Sequence, residues 1–246
     1  MSASAELRLY LVPAGICDLH ESVIMPEHFE DRRLRVPIWC YLIQTGDANI
    51  LIDTGMPPAA LDGPLFPNDR IIPVMTGEDV ITARLASLGL LPADIDLLVN
   101  SHCHFDHAGG NSLFPDHTIT LQRAEYALVE SGRYHAAYLG DMKKVRLLDG
   151  DAELAPGVQA IFTPGHAPGH MSFLVRTKHP ILLTVDASYT ADTFSPDHLG
   201  AMQDKEAGAR SVVRLREIAR AEGARIFFGH DLKQGAEWRK APEYYV

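Results

Sequence analysis

Short apolar runs alternate along the chain with clusters of Gly, Pro, Asp and Asn, the rhythm of strands joined by turns. Leu7-Arg8-Leu9-Tyr10-Leu11-Val12 alternates as a half-buried strand and is expected to end at Pro13-Ala14-Gly15. Val36 to Thr45 and Asn49 to Asp53 read as two further strands, a hairpin turned at Gly46-Asp47. Residues 56 to 75, rich in Pro, Gly and Asp, read as a long irregular connection of the kind that shapes a binding pocket. Thr76, with Asp79 three residues on, starts a helix whose apolar positions Val80, Ile81, Leu85 and Leu88 fall on one side, and Gly89 ends it. Asp96-Leu97-Leu98-Val99-Asn100 is the continuous apolar run of a strand buried on both faces.

The second half repeats these themes. Thr118 to Leu121 is a strand, Arg123 to Ser131 a helix, and the helical pattern is expected to continue toward Lys144. Val145 to Leu148, Val158 to Phe162, Met171 to Arg176 and Ile181 to Val185 are strands, with turns at Gly150-Asp151 and Pro156-Gly157. Residues 190 to 202 form a polar loop. Gln203 to Glu222 is the longest helical stretch, with Val212, Val213, Leu215, Ile218 and Ala219 expected on its buried face, and Ala224 to Phe228 is the last strand.

Composition narrows the class. A chain of 246 residues is ordinary for one α/β domain, and residues 1–246 are expected to form one, without repeats or low-complexity tracts. The start lacks the basic and apolar regions of an export signal, and no apolar run reaches membrane-spanning length, so a cytoplasmic protein is expected that does not enter a membrane. Three scattered cysteines, Cys17, Cys40 and Cys103, do not suggest a disulfide framework. The formal net charge of −10 argues against nucleic acid as partner, because such binders carry a basic face.

The chemistry concentrates at strand ends. Directly after the 96–100 run stands Ser101-His102-Cys103-His104-Phe105-Asp106-His107-Ala108-Gly109-Gly110. Imidazole and carboxylate are the ligand set of zinc and its neighbours, and four candidates within six positions can serve two ions. Along an extended chain His102 and His104 point to one side, and the turn that Ala108-Gly109-Gly110 permits swings Asp106 and His107 toward a second position. Cys103 points the opposite way, as a small core residue. His166, in Thr163-Pro164-Gly165-His166-Ala167-Pro168-Gly169-His170, follows another strand and is a ligand candidate, whereas His170 is expected to hold the loop. Asp186 ends the 181–185 strand, where a carboxylate with two oxygens can bridge two cations. Tyr189 is either a packed aromatic or a phenol aimed at a substrate oxygen. His230 follows the last strand. Asp53 buttresses a ligand histidine or caps a turn, two readings the residues leave open.

The spacing of His102, His104, Asp106, His107, His166, Asp186 and His230 resembles the dimetal ligand set of the metallo-β-lactamase superfamily. Within it, Val12-Pro13-Ala14-Gly15, Val36 to Leu42, Ile52 to Pro57, Ser101 to Gly110, Thr163 to His170, Asp186 to Thr190 and Phe228 to Asp231 resemble the N-acyl homoserine lactonases that quench quorum sensing. The likeness covers essentially the whole chain; the loop from Ala191 to Ala201 is shorter than its counterpart in those lactonases. It implies an αββα sandwich of two mixed β-sheets flanked by helices. It implies two divalent metal ions, zinc, one on His102, His104 and His166, the other on Asp106, His107 and His230, with Asp186 bridging. The implied reaction is hydrolysis of a small-molecule lactone by a water that the two ions share, with Tyr189 bonding the substrate carbonyl and Asp106 passing a proton to the leaving oxygen. Phe105 and the apolar residues of the 56–75 loop would take the acyl chain, or Phe105 is ordinary core. Rival readings are a lactonase for another ring, such as a pyridoxine-derived lactone, and a glyoxalase II-like thioesterase, which would need a basic patch for glutathione. An exported zinc β-lactamase would carry other residues at His107 and Asp186, and a metal-binding scaffold would have no use for Tyr189. Neither oligomeric state nor acyl-chain preference is legible in the residues.

Overall fold

The computed structural model describes residues 7–27, 31–134, 139–140 and 142–246. Its first sheet contains β1 (Arg8–His20), β2 (Arg33–Gln44), β3 (Asn49–Ile52), β4 (Ile71–Val74), β5 (Leu97–Val99), β6 (Ile119–Gln122) and β7 (Val145–Leu148), in the order β4-β1-β2-β3-β5-β6-β7. The second contains β8 (Ala152–Ala155), β9 (Val158–Phe162), β10 (Met171–Val175), β11 (Ile181–Val185) and β12 (Arg225–Phe228), in the order β12-β11-β10-β9-β8. Both are mixed: β3, β5, β6 and β7 run parallel, as do β11 and β12, and the other neighbours are antiparallel. The α-helices that lie wholly among the described residues are α1 (Ile81–Ser87), α2 (Phe105–Ala108), α3 (Arg123–Glu130), α4 (Lys205–Glu222) and α5 (Leu232–Glu237).

Strand alternation explains how the layers meet. Leu9 and Leu11 of β1, Trp39, Tyr41 and Ile43 of β2, and Ile50 and Ile52 of β3 face the second sheet and pack on its Phe173, Val175, Ile181, Leu183 and Phe227. The residues between them, among them Tyr10, Val12, Cys40, Leu42 and Leu51, face outward, where Ile81 and Leu85 of α1 cover them. On the far side Ile161, Leu174 and Leu182 are covered by Val212, Leu215 and Ala219 of α4. The layers run helix, sheet, sheet, helix. Each fully buried leucine in them contributes about 1.5–3 kcal/mol.

Several elements depart from the sequence expectation. β1 does not end at Pro13-Ala14-Gly15; a bulge between Pro13 and Ile16 absorbs those residues, with Gly15 at φ 100°, and pairing with β2 resumes beyond it. The far half of β1 then pairs with β4, an edge strand inside the supposedly irregular 56–75 stretch. Pro73 hid it, since proline lacks a ladder donor and is tolerated only at such an edge. β8 is likewise a short edge strand that the sequence reading passed over, paired with β9 across the Pro156-Gly157 turn. Val213 is 42% exposed while Val212 is fully buried, because neighbours on a helix stand about 100° apart. α4 starts at Lys205, where Asp204 accepts the Ala207 N–H as its cap, and ends at Gly223 in the left-handed conformation. The expected helical stretch toward Lys144 falls in part on 135–138 and 141, outside the described residues. Among the described residues no helix is long and apolar enough to cross a membrane.

Candidate metal centre

The C-terminal ends of β3, β5, β9, β11 and β12 carry the chain into Asp53, His102, His166, Asp186 and His230. After β5 the chain runs extended through His104 and then winds into α2, so Asp106 and His107 stand on a helical turn. Two glycines make that turn possible by close approach. A Cβ on Gly109 would lie 2.5 Å from the Pro57 nitrogen, and one on Gly110 would lie 2.4 Å from the Thr54 carbonyl oxygen.

The seven ligand candidates form two adjoining groups: His102, His104, His166 and Asp186, and Asp106, His107 and His230. In the first, His166 Nε2 is 2.8 Å from His104 Nδ1 and 3.2 Å from His102 Nε2, and His102 Nε2 is 2.9 Å from His104 Nδ1. Asp186 stands between the groups. Its Oδ2 lies 3.3 Å from His166 Nε2, and its Oδ1 lies 3.3 Å from His107 Nε2 and 3.2 Å from His230 Nε2. Asp106 Oδ2 lies 3.6 Å and 3.7 Å from those same two nitrogens.

The partners behind the rings set their tautomers. Asp53 Oδ2 accepts from His107 Nδ1 at 2.8 Å, and the Pro37 carbonyl accepts from His230 Nδ1 at 2.9 Å. The Ala201 carbonyl lies 3.2 Å from His166 Nδ1. Ser101 Oγ donates to Asp53 Oδ2 at 2.7 Å, which leaves it to accept from His102 Nδ1 at 3.1 Å. In each of these four rings a proton is drawn to Nδ1 and Nε2 faces inward. The Nε2 lone pairs of His102 and His166, 3.2 Å apart, repel unless a cation stands between them. His107 Nε2 and Asp186 Oδ1 are buried polar atoms without a hydrogen-bond partner, the same need seen from another side. The donor set fits a pair of divalent cations.

Electrostatics agree. Burial, reinforced by the neighbouring imidazoles, holds His102 well below the usual imidazole range, and burial lowers His166 to about 4 against the pull of Asp186. Both are therefore neutral imidazoles at physiological pH, the form in which a histidine can bind a cation. For His107 burial again opposes charge, but Asp186, Asp106 and Asp53 outweigh it and raise its pKa well above the usual range; His230 is raised by Asp186 and Asp106 in the same way. Asp186 is held well below the carboxylate range, since His230, His107 and His166 outweigh its desolvation. Among the described residues no Lys or Arg lines the cavity above these groups, so the carboxylates of the centre call for positive charge from elsewhere.

The sequence reading of the neighbours also meets the geometry. Cys103 is fully buried in the core. His170 accepts the Asp186 N–H at 3.0 Å and bonds Thr163 Oγ1 at 2.8 Å, so it anchors the tip that presents Asp186. That tip is bent: Val185 has φ 49°, an outlier for a β-branched residue. Asp53, at φ 62°, takes the buttressing role that the residues alone had left open. Tyr189 Oη lies 2.8 Å from His166 Nδ1 and donates to the Ala201 carbonyl at 3.1 Å, and its ring stacks on His230 at 5.7 Å. Burial, with Asp186 and Asp106, pushes its pKa well up, so it remains an O–H donor.

A cavity of about 420 Å³ opens onto the centre, walled by Leu19, Val23, Ile24, Phe66 and Ile71 and by Phe105 and Tyr189. Phe66 and Phe105 meet edge to face at 5.0 Å. Two residues escaped the sequence reading. Gly200 packs flat under Tyr189, where a Cβ would lie 2.3 Å from ring carbon Cδ2. Glu125 looks in sequence like an acid favouring a helix N-terminus, yet it is fully buried and bonds the ligand loops.

Comparisons with known proteins place this geometry. Residues 33–230, most of the chain, match the family model of the metallo-beta-lactamase superfamily. The chain is 40% identical over 248 residues to an N-acyl homoserine lactonase of Bacillus cereus, covering 96% of this chain and 98% of that protein. It is also 40% identical over 245 residues to N-acyl homoserine lactonase AiiA of Bacillus thuringiensis subsp. kurstaki, with the same coverage. The solved structure of an N-acyl homoserine lactone hydrolase with N-hexanoyl-L-homoserine bound at its catalytic metal centre superposes with a TM-score of 0.91 at 38% identity, over 98% of this chain and 100% of that one. A mutant of B. thuringiensis AiiA with N-decanoyl-L-homoserine at its active site matches equally well, with a TM-score of 0.91. The chain belongs to the metallo-β-lactamase superfamily and, within it, to the family of the N-acyl homoserine lactonases.

Proposed function

We propose that this protein is a dinuclear zinc hydrolase that opens the lactone ring of N-acyl homoserine lactones. The observation that carries the reading is the placement of Asp186 between two histidine groups directly beneath an apolar cavity. His102, His104 and His166 would hold one zinc and Asp106, His107 and His230 the other, with Asp186 within reach of both groups. Ions bound there would bring the pKa of a water into the neutral range and polarise the ester carbonyl.

The chain's own side chains do the rest. Tyr189 turns its O–H from the Ala201 carbonyl to the substrate carbonyl oxygen and stabilises the charge that grows there. Asp106, at 13% the most exposed of the three carboxylates of the centre, takes up the proton that the attacking water gives up as its oxygen bonds the carbonyl carbon, and passes it to the ring oxygen as the C–O bond breaks. Phe66 and Phe105 form one aromatic wall against the acyl chain and keep water from that side. Among the described residues the cavity lining carries none of the Lys or Arg that the glutathione carboxylates of a glyoxalase II-like substrate require. Residues 1–246 act as one catalytic domain on a small-molecule substrate in the cytoplasm.

The test is a panel of lactones, thioesters and β-lactams assayed with and without a chelator. Acyl homoserine lactones are expected to be opened fastest, with activity lost to the chelator and restored by zinc. Hydrolysis of a glutathione thioester far above any lactone overturns the substrate assignment.

A further inference from the structure

Glu125 takes no part in the chemistry above, and its surroundings assign it another task. It stands in the first turn of α3 and is fully buried. Its Oε1 accepts the Cys103 N–H at 2.9 Å and the Tyr134 O–H at 2.6 Å, and its Oε2 accepts the Gly169 N–H at 3.0 Å. Cys103 is the residue between His102 and His104, and Gly169 belongs to the loop that carries His166. One carboxylate therefore grips the backbone of both loops that supply the three histidines of the first group. None of these three bonds reaches α2 or the tip of β12, which supply the second group.

The approach is as close as backbone allows. A Cβ on Gly169 would lie 2.3 Å from Glu125 Cβ and 2.4 Å from its backbone nitrogen, so only glycine lets this loop meet α3. The ring of Tyr134, the third donor, also packs edge-on against His104 at 5.8 Å. A carboxylate removed from water is costly unless its oxygens are fully bonded, and here two of the three donors are main-chain N–H groups of ligand loops. A role confined to the dipole of α3 would need neither burial nor those partners. Asp53 is different in kind: it bonds His107 directly and reaches His102 through Ser101, so it serves both groups.

We propose that Glu125 is a positioning residue that holds the His102, His104 and His166 half of the centre in register, so that the two cation sites depend on it unequally. This rests on the reading of the centre as dinuclear, and its test needs no substrate. Glu125→Gln preserves shape but sets an N–H donor against one of the two loop N–H groups. Protein loaded with two zinc ions per chain is titrated with a chromophoric chelator, and the cobalt-substituted protein is followed by its visible spectrum.

In the Gln variant one equivalent of zinc is expected to be withdrawn at 10- to 100-fold lower chelator activity than in the unmodified protein, the range found when a partner behind a metal ligand is removed, with the other equivalent unmoved. The cobalt bands of one ion should change and those of the other persist. Tyr134→Phe, which leaves both loop N–H bonds intact, should release zinc as the unmodified protein does. Should Glu125→Gln fail to fold, Gly169→Ala displaces the same loop by contact and is expected to give the same one-sided shift. Equal displacement of both equivalents, or of neither, overturns the proposal whatever the lactonase assay shows. An unmodified protein that retains only one zinc overturns the two-site reading beneath it, and a two-zinc protein inert toward lactones overturns the proposed substrate while leaving Glu125 its role.

Discussion

Asp53 Oδ2 and His107 Nδ1 lie 2.8 Å apart in a place closed to solvent, and the same carboxylate takes both the N–H and the O–H of Ser101 at 2.7 Å. Three donors converge on two oxygens, which an amide cannot reproduce, because its nitrogen would face a donor. Asp53→Asn is therefore expected to weaken zinc at both sites by 10- to 100-fold, read by chelator competition. Unchanged affinity at either site would sink this account of Asp53.

Tyr189→Phe keeps the ring on Gly200 and His230 and removes only the phenol. Since the Ala201 carbonyl still faces His166 Nδ1, zinc content should stay at its original level. Turnover of a homoserine lactone should fall about 100-fold, the scale of losing one oxyanion donor. Full activity would leave Tyr189 as a packed aromatic.

Asp106→Asn isolates proton transfer, provided that both zinc ions are retained and counted. A drop in kcat of about 100-fold is expected from loss of a general acid. Undiminished activity removes that role and leaves Asp106 as a ligand alone.

Phe66→Ala opens the aromatic wall that Phe66 shares with Phe105. A lost aromatic contact of about 1.5 kcal/mol predicts a roughly tenfold rise in KM for long acyl chains, with little change for short ones. Equal effects on a butanoyl and a decanoyl substrate would place the chain elsewhere.

Asp79 carries a pH-dependent contribution to stability. Its carboxylate is partly buried, which raises its pKa, but the Thr76 N–H, the Arg84 guanidinium at 2.6 Å and the Thr76 hydroxyl outweigh burial and lower it overall. A depressed folded-state pKa means that the stabilisation is present above the unfolded value of 3.8 and is lost as pH falls through the folded one. Asp79→Asn should cost about 1 kcal/mol at pH 7 by denaturant unfolding, and the difference should shrink below pH 4. A pH-independent difference would assign the effect to shape instead of charge.

Much of this protein is written in local order. The apolar runs ending at Val99, Phe162, Val185 and Phe228 announce strands, because continuous or alternating burial leaves a short-range signature, and the residues just beyond them announce metal chemistry by type and spacing. The turn at Gly46-Asp47 was equally legible, and so was the pairing of Thr76 with Asp79, although it closes a separate 3₁₀ turn, Gly77–Asp79, and α1 begins only at Ile81, after an extended Val80. Edge strands were not: β4 carries a proline, β8 a glutamate, and half-exposed strands have little pattern to show.

What the residues alone determined was which side chains could bind cations and that they stood at strand tips. Only tertiary structure decided their pairing, because the Nε2 atoms of His102 and His166 meet across a separation of 64 residues and both oxygens of Asp186 find partners from different loops. It also decided the parts of Asp53, Glu125 and Gly200. A carboxylate that caps a turn and one that orients a buried imidazole look the same along the chain, and a glycine reveals what it admits only when the facing atom is in place. Periodicity is a property of neighbours in sequence, whereas an ion is held by neighbours in space.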